Sequence, residues 1–341
     1  MKVPKNKELK PLFFLCYNQD MTKKKVFTEQ ELKTLSTEEI IDKINHENYS
    51  LLNSLGGDKL RKEMVPIGRI CHIVLRYFYH SREDLEKDMK NISRARSRIA
   101  RTLGRIAPAD YDTADFPKSD GRGLVIGFNH PSLGEVLRIL SLKFTLYPDK
   151  TVLWPVNLPW YESLAKDYDN LAKIGIIITP TLTPSTWQKL QVAEDSPLFD
   201  VTNNLKRNLR KVYTTRSVNV VNSQGMIFVA PSATRQSTVF KSKAVYDKSE
   251  DIIPTMSVLA IKLIKETTAE CDFLPLGVIP PKKGGRSLNL FKKYALYPAK
   301  PFMSSEIREK YIDKKNPDHL VGFDYDFHMR IAEQLPKKMW Y

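Results

Sequence analysis

From Leu124 onward the chain alternates short apolar runs with helix-length segments, and few folds accept such a rhythm. The runs are Leu124 to Phe128, Val152 to Trp154, Ile176 to Thr179, Met226 to Ala230, Phe273 to Ile279 and Tyr294 to Tyr297. Between them, residues 133 to 146, 160 to 173, 201 to 213 and 255 to 266 read as helices. Uninterrupted apolar strands are buried on both faces, and strands separated by helices pair in parallel through crossovers. The pattern therefore predicts an α/β domain over residues 116–341, with a largely parallel sheet between two helical layers.

Residues 1–115 read differently, as an N-terminal helical domain. Ser36-Thr37-Glu38-Glu39 is a capping box opening a helix that carries Ile40, Ile41, Ile44, Leu51 and Leu52 and stops at Gly56-Gly57. Ile67 to Tyr79 is apolar enough for a core helix. A third helix is expected from Ser81, with Asp84 three residues on and Leu85, Met89, Ile92, Ile99 and Leu103 on its apolar face. Arg94, Arg98, Arg101 and Arg105 recur on it at helical intervals and form one basic stripe. That stripe is either a solvated face or a grip on phosphates or an anionic bilayer. Ala107 to Arg122 is turn-rich and reads as the linker between the two parts.

Charge is the compositional feature with consequences. Lys and Arg exceed Asp and Glu by enough to give a formal net charge of +15, which predicts attraction to something anionic. The 42% apolar and 27% charged fractions are those of a globular protein and argue against disorder. Cys16, Cys71 and Cys271 lie far apart, so neither a disulfide framework nor a zinc site is suggested, and a reducing, cytoplasmic setting fits. Leu12 to Cys16 is too short for a signal-peptide core, and no run approaches the about 20 apolar residues that span a bilayer, so the expectation is a soluble or peripheral protein.

The chemistry concentrates in Gly123 to Glu135, G-L-V-I-G-F-N-H-P-S-L-G-E. An apolar strand ends at Asn129-His130-Pro131, and Ser132 with Glu135 three residues later reads as the capping box of the next helix. His130 thus stands at the mouth of a strand with a carboxylate nearby. In open α/β sheets ligands bind outside the carboxyl ends of the strands. A neutral imidazole oriented by a carboxylate can take a proton from a hydroxyl. The alternative is that the pair only caps the helix.

Three further stretches complete a set: Gly175 to Thr179 running into Pro180 to Thr183, Ala230-Pro231-Ser232-Ala233-Thr234-Arg235, and Phe273 to Pro281. In this order the chain resembles the glycerol-3-phosphate and lysophosphatidate acyltransferase superfamily, over roughly residues 120 to 300. The family's defining motif is a His, four intervening residues and an Asp, and His130 and Glu135 occupy those positions. A-P-S-A-T-R is closest to the A-P-S-G-G-R of the soluble plastid-type glycerol-3-phosphate acyltransferases, which also place a helical domain first.

The resemblance implies transfer of an acyl group from acyl-CoA or acyl-carrier protein, as co-substrate, to a hydroxyl of glycerol 3-phosphate or a related phosphorylated acceptor. No cofactor and no metal is implied. His130 is the implied general base and Glu135 its partner. Arg235 is implied to hold the acceptor's phosphate, with Ser232 and Thr234 beside it and Asn129 on the substrate side of the strand mouth. Leu276 and Val278 either line the acyl side or belong to the core.

Departures from the family pattern shape the expectation. Glu replaces Asp at position 135, Ser232 stands where many relatives carry Glu, and Gly175 to Thr183 contains no Arg or Lys, which keeps lysophospholipid, glycolipid and other alcohol acceptors open. Basic clusters at Lys206, Arg207, Arg210 and Lys211, at Lys241 and Lys243, and at Lys282, Lys283 and Arg286 are candidate contacts for the donor carrier or for anionic lipid. A non-catalytic module binding anionic lipid or nucleic acid is the rival from another class. Its nucleic-acid form is the weaker one, because the basic residues lack interleaved aromatics. His72, His80 and His319 have no metal-like spacing, and Asp324 with His328 reads as a surface pair on a terminal helix.

Overall fold

The computed structural model describes residues 24–57, 87–88, 90–118, 121–131, 134–183, 186, 190, 196, 198–232, 238–248, 252, 254–281 and 289–341. Among these, an 8-stranded sheet forms the centre of the molecule. The chain opens with β1 (Lys25–Val26), α1 (Glu29–Thr34), α2 (Thr37–His46), β2 (Tyr49–Ser50), α3 (Leu51–Ser54) and α4 (Ile92–Ile106). The sheet elements follow: β3 (Ala109–Asp110), β4 (Gly123–Phe128), α5 (Glu135–Leu146), β5 (Val152–Asn157), α6 (Leu158–Leu164), α7 (Tyr168–Lys173) and β6 (Ile176–Thr181). The remainder is α8 (Phe199–Asn222), β7 (Met226–Val229), α9 (Lys243–Lys248), α10 (Thr255–Glu266), β8 (Cys271–Ile279), β9 (Tyr294–Pro298), β10 (Phe302–Met303), α11 (Ser304–Lys310) and α12 (Phe323–Glu333).

The sheet runs in the order β3-β9-β8-β4-β7-β5-β6, with β10 also paired to β8. β4, β5, β6, β7 and β8 are mutually parallel, while β9 and β10 are antiparallel to β8. Every expected strand and every expected helix of the α/β part is present. β4, first of the parallel set in sequence, lies between β8 and β7, so the chain leaves it on one side and returns on both. Its carboxyl end is therefore the edge at which sheets of this topology bind ligands.

Strand alternation assigns each side chain to a layer. Leu124, Ile126 and Phe128 of β4 join Met226, Phe228, Leu274, Leu276 and Val278 in a core that continues into α1 to α4. Val125 of β4 joins Ile227, Val229 and Phe273 in a second core with α10 and α12. Period 2 in the strands thus produces two apolar faces, each covered by helices. α8, 24 residues long, serves both, giving Leu205 and Leu209 to the first and Val218, Val220 and Val221 to the second. Gly127 is required by this packing, because a Cβ there would sit 2.4 Å from the Phe327 ring.

The N-terminal helices depart from expectation in detail. Ser36 caps α2 with the full capping box, but the helix stops at His46 instead of running to Gly56. Asn48 takes a left-handed φ of 60°, and that turn lets Tyr49–Ser50 pair in parallel with Lys25–Val26. The expected helix from Ile67 to Tyr79, and the Ser81 and Asp84 cap, lie outside the described residues. α4 has its own N-cap, with the Asn91 side chain accepting from Arg94 N at 3.0 Å, so it begins there and not at Ser81. The segment read as a linker contributes β3, an edge strand paired with β9. Edge strands of two residues carry too little pattern to be read from sequence.

The terminal pair also differs from the surface reading. Asp324 and His328 are buried, and the Asp324 carboxylate accepts from Met256 N at 2.8 Å and from Ser257 N, capping α10 across space. Burial raises the Asp324 carboxyl above its ordinary range and pushes the His328 imidazole below its own. No helix among the described residues is long and apolar enough to cross a membrane.

Candidate active site

β4 ends at Phe128, level with Leu276, and its neighbour β8 runs three residues further, to Ile279. Asn129 bridges this mismatch. Its Nδ2 donates to Val278 O at 2.9 Å and its Oδ1 accepts from Val278 N at 2.7 Å. The side chain thus replaces the backbone partner that Val278 would otherwise lack, and the main chain is free to turn outward. Asn129 is buried, and both of its polar ends are occupied by the sheet. What it positions is the next residue, His130.

His130 Nδ1 is hydrogen-bonded to Glu135 Oε1. The Glu135 side chain is 0% exposed and that of His130 20% exposed, so the carboxylate lies underneath and the ring faces outward. An ionised carboxylate can only accept, which assigns the proton to Nδ1 and leaves Nε2 as the acceptor. Glu135 is the first residue of α5, with Gly134 at the N-cap position. It is therefore not the third residue of a helix capped by Ser132, which lies outside the described residues. At the first position the carboxylate lies at the positive end of the helix dipole. The extra methylene of Glu over Asp spans from this position to the ring.

The chain leaving β7 runs beside the chain leaving β4, since Gly127 pairs with Val229. It carries Pro231, whose ring would be 3.4 Å from a Cβ at Gly127, and then the half-buried Ser232. Ser232 is thus brought to the same edge as His130. Thr234 and Arg235 lie outside the described residues, as do Lys282, Lys283 and Arg286. Leu276 and Val278 are fully buried in the core. The loop after β6 is pinned at its start: Asn157 Nδ2 donates to Thr186 Oγ1 at 2.8 Å, and Thr183 Oγ1 lies 3.1 Å from the same hydroxyl. Of the arginine stripe, Arg94, Arg101 and Arg105 are exposed, and Arg98 is paired with Asp88 at 2.7 Å. Lys206, Arg207, Arg210 and Lys211 are exposed on α8.

One residue at the site gave no signal in the sequence. Arg138, one turn after Glu135, is fully buried. Its guanidinium donates to Gly134 O and Asn289 O at 2.8 Å and to Lys292 O at 2.9 Å, and stacks 4.1 Å from the centre of the Tyr294 ring. Burial lowers its pKa to about 10, against the opposing pull of Tyr294 and Glu135. Among apolar neighbours Val136, Leu137, Ile139 and Leu140, an arginine reads as the exposed face of a helix. Its inward direction is set by the carbonyls of a segment some 150 residues later.

A central parallel sheet, helices on both sides and a histidine–carboxylate pair at the carboxyl end of its middle strand define an α/β protein with an arrangement chemically able to transfer a proton. No protein-family model matches the chain, and no curated protein does. Among solved structures it is similar to the crystal structure of the 1-acyl-sn-glycerophosphate (LPA) acyltransferase, PlsC, from Thermotoga maritima. The two share 14% sequence identity over 81% of this chain and 94% of that one, with a TM-score of 0.34. The chain's own residues carry the functional conclusion.

Proposed function

We propose that the protein is an O-acyltransferase that moves a fatty acyl group from acyl-CoA or acyl-carrier protein to a hydroxyl of glycerol 3-phosphate. The observation that carries this reading is the bond from His130 Nδ1 to the buried Glu135 carboxylate at the end of β4. In the reaction the acceptor hydroxyl gives its proton to Nε2 as its oxygen bonds to the thioester carbonyl carbon. The tetrahedral intermediate then expels the thiolate, breaking the C–S bond, and the imidazolium returns the proton to sulfur. Glu135 holds the ring in the required tautomer and offsets the imidazolium charge. Ser232 and, by the motif, Thr234 and Arg235 would bind the phosphate, Arg235 through a bidentate contact. The exposed Lys206, Arg207, Arg210 and Lys211 on α8 offer a docking face for an acidic carrier or an anionic membrane.

The test is thiol release from acyl-CoA and acyl-carrier protein, with glycerol 3-phosphate, lysophosphatidate or no acceptor, for the wild type and His130→Ala. Release that needs one acceptor and falls about 10²- to 10⁴-fold in the variant is expected. Wild-type turnover in a folded His130→Ala protein would end the reading. A second acceptor class, a lysophospholipid or another alcohol, is favoured by one specific feature: β6 brings no Lys or Arg to the carboxyl edge of the sheet.

A further inference from the structure

Two backbone strains meet beside Arg138. Asn289 and Phe291 both adopt left-handed φ, 44° and 60°, in the segment that leads into β9. Non-glycine residues hold such conformations only where surroundings over-determine them. Here Phe291 N donates to Ile106 O at 2.7 Å at the end of α4, the Asn289 side chain donates to the Tyr294 hydroxyl at 3.1 Å, and Arg138 bonds the carbonyls of Asn289 and Lys292. The same guanidinium bonds the carbonyl of Gly134, immediately before Glu135. A fully buried cation therefore joins the strained segment to the turn that presents the Glu135 carboxylate.

Burial of Glu135 has an electrostatic cost that this cation offsets. A carboxylate removed from water takes up a proton unless positive charge or donors compensate. Arg138 follows Glu135 on the same helix at i,i+3 spacing, and the two attract. Among the described residues, Tyr294 of β9, under the guanidinium, also acts on the Arg138 charge.

We propose that Arg138 is a positioning residue: it keeps Glu135 ionised and in place, so that His130 stays neutral at Nε2, and it fixes the Asn289–Lys292 segment against the first turn of α5. This rests on the acyltransferase reading of His130 and Glu135. Its consequence concerns the pair as a unit, since one added proton is shared between imidazole and carboxylate whichever atom carries it. Removing a nearby cation makes that proton easier to add, so the acid limb of activity moves to higher pH.

Arg138→Gln keeps two N–H donors but loses the charge, and Arg138→Lys keeps the charge but loses the planar fork. For Arg138→Gln, the acid limb of the kcat/KM profile should rise by about one pH unit, with kcat down about 10- to 100-fold and KM little changed. For Arg138→Lys, the limb should stay at the wild-type position with a smaller loss of kcat. NMR titration of the His130 ring, assigned with His130→Ala, reads the same shift without turnover, so it stands even if no acyl transfer is found. A folded Arg138→Gln protein with an unmoved His130 titration overturns the proposal. Should that variant fail to fold, an upward shift in Arg138→Lys overturns it equally, because the charge is still there.

Discussion

A histidine acts as base only while its outer nitrogen is unprotonated and held in place, and in the proposed reaction Glu135 serves both needs. The carboxylate, fully buried, holds the Nδ1 proton from below. Glu135→Gln removes the charge and lets the side-chain amide donate to Nδ1, which places the ring proton on the wrong nitrogen. We expect that change to cost on the order of 10⁴ in kcat. Glu135→Asp retains the charge but withdraws it by one methylene, and should lose about 10- to 100-fold. The comparison is made by steady-state kinetics on proteins matched in melting temperature. A Gln variant as active as the Asp variant would show that the carboxylate's charge is not what the ring needs.

At the scale of elements, α5 joins the proposed site to the structural core. Its first residue is Glu135, its next turn buries Arg138, and its third turn buries Lys143. Lys143 Nζ donates to Pro148 O at 2.8 Å and to Ile174 O at 3.4 Å, holding the ends of two helices, α5 and α7. Burial first, and the nearby Arg96 charge second, lower its pKa to about 8. The unfolded chain keeps this amine near its ordinary value of about 10.4. Between the two values the unfolded state binds more protons than the native state, so stability rises with pH there. The gain is on the order of 3 kcal/mol across that window. Urea midpoints measured from pH 8 to 10 should therefore climb in the wild type, and Lys143→Met should flatten the climb. Parallel curves for both proteins would assign the rise to another group.

Across the whole molecule, the N-terminal helices are bound to the α/β part by a shared core and one buried carboxylate. Glu162 of α6 accepts from Ser50 Oγ at 2.7 Å and Leu52 N at 2.9 Å, and lies 3.7 Å from Lys24 Nζ. Leu51, Leu52 and Leu55 are buried against the same layer as β4 and β5. Truncating Glu162 leaves these donors unsatisfied in the interior, so Glu162→Ala should cost about 3 kcal/mol. Hydrogen exchange should quicken in α2 and α3 while the amides of β4 and β7 stay protected. Equal loosening everywhere would mean that the two parts unfold as one cooperative unit.

Much of this was legible locally. The alternation of apolar runs with helical segments specified the strands and helices of the α/β part, because periods of 2 and 3.6 are written in the residues themselves. The capping box at Ser36 was equally local, and His130 with Glu135 stood out because both lie within one strand-to-helix turn. Other features depended on distant partners. The sequence could not tell that Asn129 completes the pairing of β8, that Asp324 caps α10, or that Arg138 points inward to carbonyls near residue 290. Periodicity assigns a side chain to a face, but whether a polar group on that face is solvated or satisfied by remote backbone is fixed only when the tertiary fold brings the partner there.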